Sequence, residues 1–96
     1  MNYFFHPAAE SDYLSQIAYY EEKHAGLGAY FISDFEGSVS RVLATPKMYK
    51  QVEENIHLIS LKIFPFNILY QVVNSEVQVL AVAHKRRRPN YWKERL

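Results

Sequence analysis

Apolar residues recur at helical spacing from Ala8 to about His24, at Ala9, Tyr13, Leu14, Ile17 and Tyr20. Glu10, Ser11, Ser15, Glu22 and Lys23 fall largely on other faces, so the stretch predicts an amphipathic helix. Tyr3 to Phe5 reads as a brief strand stopped at His6-Pro7. Pro7 suits the first helical turn, and Glu10 and Asp12 suit the positive end of the helix dipole. Gly26 is placed to cap this helix in the left-handed region. A second helical pattern runs from about Gly28 to Ala44, carried by Gly28, Phe31, Ile32, Phe35, Val39 and Val42. Gly37 weakens it by roughly 1 kcal/mol against alanine, so packing must hold it, and Thr45-Pro46 ends it. The short link between the two predicts an antiparallel helical hairpin.

Lys47 to Ile56 is polar without clear periodicity and reads as a surface connection with at most one helical turn. Three strand patterns follow: His57 to Phe64, Phe66 to Val73 and Glu76 to Ala83. Pro65 leaves a tight link between the first two, and Asn74-Ser75 fits a two-residue hairpin turn. Leu80 to Ala83 is apolar on both faces, which predicts a central strand covered by the helices on one side and by something else on the other. The expected fold is α+β: a short N-terminal strand, a helical hairpin on a three-stranded antiparallel meander, and a basic C-terminal tail.

Length and composition narrow this further. Ninety-six residues with 49% hydrophobic content predict one domain, residues 1–96, with a single core. There is no cysteine, which excludes a disulfide framework and thiolate metal sites. No basic flank precedes an apolar stretch at the start, and no apolar run could cross a membrane. These features predict a cytoplasmic protein without a membrane partner. Aromatic residues make up 16% of the chain, eight of them tyrosines, more than a small core needs. Some rings therefore belong on a contact surface.

Charge is segregated. Residues 81–96 hold six of the eleven Lys and Arg residues against one acid, a charge of +5, and the preceding eighty residues carry −4. The run Lys85, Arg86, Arg87 and Arg88 would pass alone for an ordinary solvated stretch. Beside Tyr91 and Trp92 it suits a nucleic-acid backbone or an acidic protein partner. Tyr91 and Trp92 can equally fold back as a plug over the sheet, the reading preferred for Trp92. His84 at the strand end fits a backbone-bonded histidine better than a proton carrier. His6, His24 and His57 lack ligand spacing, so no metal site is expected. Glu21-Glu22 and Glu53-Glu54 mark solvated surface. No Gly-rich phosphate loop and no nucleophile-elbow serine occur, and no cofactor is expected. Tyr19 and Tyr30 fall partly off the core stripe and are candidates for a protein-docking groove.

The His-Pro-Ala start of the first helix, Leu43-Ala44-Thr45-Pro46 at the end of the hairpin, the strand Phe66-Asn67-Ile68-Leu69-Tyr70, and Val79 to His84 running into Arg86-Arg87-Arg88-Pro89 form an ordered set. Over nearly the whole chain they resemble the RelE/ParE superfamily of toxins from bacterial type II toxin–antitoxin systems, also known as plasmid stabilisation proteins, with the ParE branch nearer. The resemblance implies a toxin silenced by an antitoxin encoded beside it. RelE members cleave mRNA on the ribosome; ParE members poison DNA gyrase.

The two activities demand different residues. Cleavage by 2′-hydroxyl attack needs a base, cations for the phosphorane and an acid for the leaving oxygen. RelE-type members draw these from strand lysines, an arginine opening the next strand, another after the last strand, and a C-terminal tyrosine. Carried onto this chain, Lys62 could stand for a strand lysine and Arg86 for the arginine after the last strand. The other arginine falls at the uncharged Asn67, and the tyrosine falls at Trp92 unless Tyr91 replaces it. Lys62, Arg86 and Tyr91 are thus weak catalytic candidates. The set His84, Lys85, Arg86, Arg87, Arg88, Tyr91 and Trp92 is expected to bind a target, and Tyr19 and Tyr30 an antitoxin. A gyrase-binding toxin is the favoured expectation. The alternatives are a ribosome-dependent mRNA interferase and an inactive antitoxin-binding relic.

Overall fold

Helix α1 spans Pro7–Lys23, with Pro7 in the first turn and His6 as its N-cap. The His6 Nδ1 accepts the Ala8 N–H at 3.0 Å, satisfying one of the donors a helix start leaves open. The computed structural model describes residues 1–96. α1 packs through Ala9, Tyr13, Ile17 and Tyr20. Leu14, expected on that face, is 57% exposed, because a residue adjacent to Tyr13 points well round the helix from it.

The break between the helices also differs from expectation. α1 closes at His24 in extended backbone, and Gly26, at φ 90°, caps the start of α2 (Leu27–Ala44) instead of the end of α1. The Glu21 carboxylate accepts the Gly26 and Gly28 N–H groups at 3.0–3.1 Å, placing a negative charge at the positive end of α2. A Cβ on Gly28 would stand 3.0 Å from the Ile17 carbonyl oxygen, so this glycine sets how closely the helices approach. Phe31, Phe35, Val39 and Val42 of α2 are buried as their spacing requires.

The helices cover one face of a five-stranded sheet of order β1-β5-β4-β3-β2. β1 (Tyr3–Phe5) runs parallel to β5 (Glu76–His84), and the remaining pairs are antiparallel. This is the expected α+β arrangement with one strand more. β2 (Lys50–Glu53) lies where a surface connection was expected, and pairs with β3 (Ile56–Ser60). All four of its residues are exposed, so no alternation betrays it. Its charged, bulged edge discourages pairing with other chains.

β3 ends at Ser60, not Phe64. The Asp34 carboxylate of α2 accepts the N–H groups of Lys62, Ile63 and Phe64 at 3.1, 2.9 and 2.9 Å and draws the link out of the strand. β4 (Phe66–Val73) joins β5 through Asn74 and Ser75 at φ 51° and 64°, the two positive values a tight hairpin turn needs. Opposite Leu69 and Tyr70, Leu80 is an extra residue in β5. This bulge lets Leu80 and Ala81 face the same way. Val77, Val79 and Val82 face the helices, whereas Leu80, Ala81 and Ala83 join a second cluster with Leu69, Tyr91 and Trp92. The far cover of β5 is therefore the chain's own end, a 3-10 helix over Tyr91–Arg95.

Tyr70 is fully buried beneath the hairpin and donates to the Pro46 carbonyl at 2.6 Å. Burial, with a smaller push from Tyr49, raises its pKa to about 12. Tyr13 is raised to about 12 as well, by burial first and then by Glu36 and Tyr3. Both hold their protons more tightly folded than unfolded, so their contribution is complete below pH 10 and is lost as pH climbs towards 12. Alkaline unfolding is expected in that window, and Tyr70→Phe should flatten the fall in denaturation midpoint between pH 10 and 12. An equally steep fall in the variant would remove Tyr70 as a cause.

Candidate target-binding surface

The chain leaves β5 at His84 and turns at once. The Lys85 N–H bonds the Pro65 carbonyl at 2.9 Å, and the Arg87 N–H bonds the His84 carbonyl at 2.8 Å. The His84 Nδ1 accepts the Arg86 N–H at 3.0 Å while its ring stands edge-on to Phe66, with centroids 5.1 Å apart. His84 is thus the hub of the turn, satisfied by a backbone bond. It displays four consecutive exposed residues, Lys85 to Arg88.

Beneath the turn lies a cleft of about 240 Å³, with Asn67, His84, Lys85, Arg87 and Arg88 on its walls and Trp92 among its apolar lining. No carboxylate lines it. Such a site gathers positive potential over an apolar floor, the chemistry of an anion or acidic-surface receptor. Arg86 is exposed beside the cleft but does not line it.

The tail's other cations are engaged within the molecule. Lys93 pairs with Glu53 at 3.4 Å, both about half exposed, an interaction that adds little. Arg95 is far more enclosed. Its Nη1 donates to Asp12 at 2.7 Å and to the Leu80 carbonyl at 2.9 Å, and its Nη2 donates to Asp12 at 3.3 Å. These bonds meet β5 where β1 has ended; the last bond on that edge is from the His6 N–H to the Val79 carbonyl. Asp12 also receives the Val82 N–H at 3.4 Å, so helix, open strand edge and tail are tied at one point. Arg87 lies 4.0 Å from the Tyr91 ring centroid and Arg95 5.0 Å from it. Lys85, Arg86 and Arg88 remain exposed and without a carboxylate partner.

The aromatic pair does not present stacking rings. Trp92 is 4% exposed and Tyr91 7%, both packed on the sheet as a plug. The Tyr91 hydroxyl is buried beside the Asp12 carboxylate, without a hydrogen bond of good geometry. Burial raises its pKa first and the nearby Asp12 carboxylate second, against the lowering pull of Arg95 and Arg87. The apolar demand of the sheet's second face draws both rings inward, so they border the cleft as part of its floor and not as exposed stacking platforms.

Lys62 is also elsewhere. It lies in the link held by Asp34 and faces a recess with Arg41 and Ser33 beside α2, sharing no lining residue with the tail cleft. Asn67 accepts the Ser60 hydroxyl at 2.7 Å. Lys62 and Tyr91 thus line different clefts, and Arg86 lines neither. Tyr19 and Tyr30 are 51% and 66% exposed, and the Lys23 ammonium lies 5.1 Å from the Tyr19 ring centroid. Sequence reasoning missed Asp12 and Arg95. In the sequence Asp12 shows only as a helix-dipole residue, and no local pattern reports a partner 83 positions away.

A family profile described as "ParE toxin of type II toxin-antitoxin system, parDE" matches residues 3–89. The chain superposes on a structure of the chromosomal ParDE TA system from P. aeruginosa with a TM-score of 0.73 at 16% identity, covering 88% of this chain and 95% of that one. A mutant of the E. coli toxin RelE in complex with an antitoxin RelBc peptide gives a TM-score of 0.65 at 16% identity, over 99% of this chain and 93% of that one. No curated protein matches at a significant level.

Proposed function

The chain belongs to the ParE toxin family of type II toxin–antitoxin systems, and from that premise we propose that it arrests growth by binding and inhibiting DNA gyrase, and that a cognate antitoxin neutralises it. The observation that carries the reading is the carboxylate-free cationic turn Lys85–Arg88, held over the cleft by His84. Lys85, Arg86 and Arg88 reach outward with no internal partner, which suits charge-led docking on an acidic or nucleic-acid-bearing target. The same surface is poorly equipped for RNA cleavage. Asn67 brings no charge, the Tyr91 hydroxyl is buried at the cleft floor, and Lys62 faces another recess.

Inducible expression tests the reading. Growth should stop on induction and resume when the adjoining reading frame is co-expressed. Primer extension on translated messages during the arrest should show no new 5′ ends. New ends within codons would favour an mRNA interferase acting on the ribosome. Unimpaired growth in several hosts would leave an inactive antitoxin-binding relic.

A further inference from the structure

A second recess, of about 450 Å³, opens beside α2, between Ser33, Ser38 and Arg41 of that helix and Lys62 and Ile63 of the link after β3. Asp34 is its only carboxylate, and it is 8% exposed and already accepts three backbone N–H groups. The two ion pairs of the molecule lie elsewhere and leave Arg41 and Lys62 without an acidic partner. The Arg41 Nη2 donates to the Ser38 hydroxyl at 2.7 Å, while its buried Nε has no partner. A buried donor left unpaired calls for a reason. The helix face here is open, since a Cβ on Gly37 would meet nothing within 4 Å. Ile63, at 72% exposure, adds an apolar side chain at the rim.

These features describe a receptor for a carboxylate. A guanidinium fork can pair both oxygens of a carboxylate once it turns into the recess, and the Lys62 ammonium supplies a second charge. A nucleic-acid backbone would call for a continuous cationic track. Here α2 covers the opposite sheet face from the tail plug, and the two clefts share no residue. An isolated pair of cations beside an exposed isoleucine fits an acidic residue followed by an apolar one in a polypeptide.

We propose that this recess docks the antitoxin, taking one acidic side chain between Arg41 and Lys62 while an adjacent apolar side chain packs on Ile63. The proposal rests on the toxin–antitoxin reading above. The test is calorimetric titration of the toxin, as wild type, Lys62→Glu, Arg41→Gln and Arg41→Lys, with the purified product of the adjoining reading frame. Thermal melts establish that each variant is folded; Lys62 is exposed, so Lys62→Glu keeps the test valid even if Arg41→Gln is unstable. Lys62→Glu and Arg41→Gln should each weaken binding at least tenfold, and Arg41→Lys less, because it keeps the charge without the fork. Wild-type binding with both variants within twofold overturns the site and leaves the toxin–antitoxin reading standing. No binding by the wild type overturns both. Unchanged antitoxin affinity with lost affinity for a 20-base-pair DNA duplex overturns the proposal in favour of a nucleic-acid site.

Discussion

Replacing Arg86 and Arg88 together by alanine is expected to abolish growth arrest while leaving the folded toxin intact. Both side chains are exposed and take no part in an ion pair, and the Arg86 contact within the turn is made by its backbone N–H. Their removal therefore costs the fold almost nothing. Losing one partner of a desolvated charge pair at an interface costs roughly 2–5 kcal/mol. Two such losses reach about 4 kcal/mol or more, on the order of a thousandfold in affinity. Arg87 is left in place because it stacks on Tyr91 and its removal would mix folding with binding. The measurement is survival after induction, with expression and antitoxin binding checked on the purified variant. Full toxicity would show that the cationic turn is not the working surface. Toxicity and antitoxin binding lost together would place the turn beneath the antitoxin or within the fold.

Trp92→Ala carries the largest expected effect on stability. Trp92 is 4% exposed and seals the sheet face formed by Leu69, Leu80 and Ala83. Truncating a buried tryptophan costs about 3–5 kcal/mol, a large part of the 5–15 kcal/mol typical of a domain. For a chain of this length the melting temperature should fall on the order of 15 °C or more. Trp92→Phe should recover much of the loss. A melt within a few degrees of wild type would mean that the terminal 3-10 helix does not hold that face. Trp92 also lines the tail cleft, so a weaker arrest by this variant is expected as a consequence of lost support.

These two substitutions separate what the sequence discloses from what it conceals. The α2 stripe of Phe31, Phe35, Val39 and Val42 is legible because a helix repeats its buried positions every three or four residues. Asn74-Ser75 is legible as a two-residue polar break between apolar runs, with Asn74 able to take the positive φ such a turn needs. The doubly buried end of β5 is legible as a demand for cover on both faces. What supplies the second cover is not, since Tyr91 and Trp92 read alike as exposed rings or as a plug. β2 escapes because an exposed edge strand has no apolar alternation. The early end of β3 escapes because it is imposed by Asp34, some thirty residues distant. The Asp12–Arg95 contact has the same character: long-range, polar and silent in any local window. At the surface the cationic run is plain in the sequence. Only the fold sorts Lys85, Arg86 and Arg88, which are left without partners, from Lys93 and Arg95, which are engaged.

The most direct measurement is gyrase supercoiling of relaxed plasmid in the presence of purified toxin, with and without its antitoxin. Wild-type toxin should reduce supercoiling or accumulate cleaved DNA. Antitoxin should reverse the effect, Arg86→Ala with Arg88→Ala should be inert, and added salt should weaken inhibition because it screens the attraction between the free toxin's exposed cations and the target. Full supercoiling at a molar excess of folded wild-type toxin would contradict gyrase as the target.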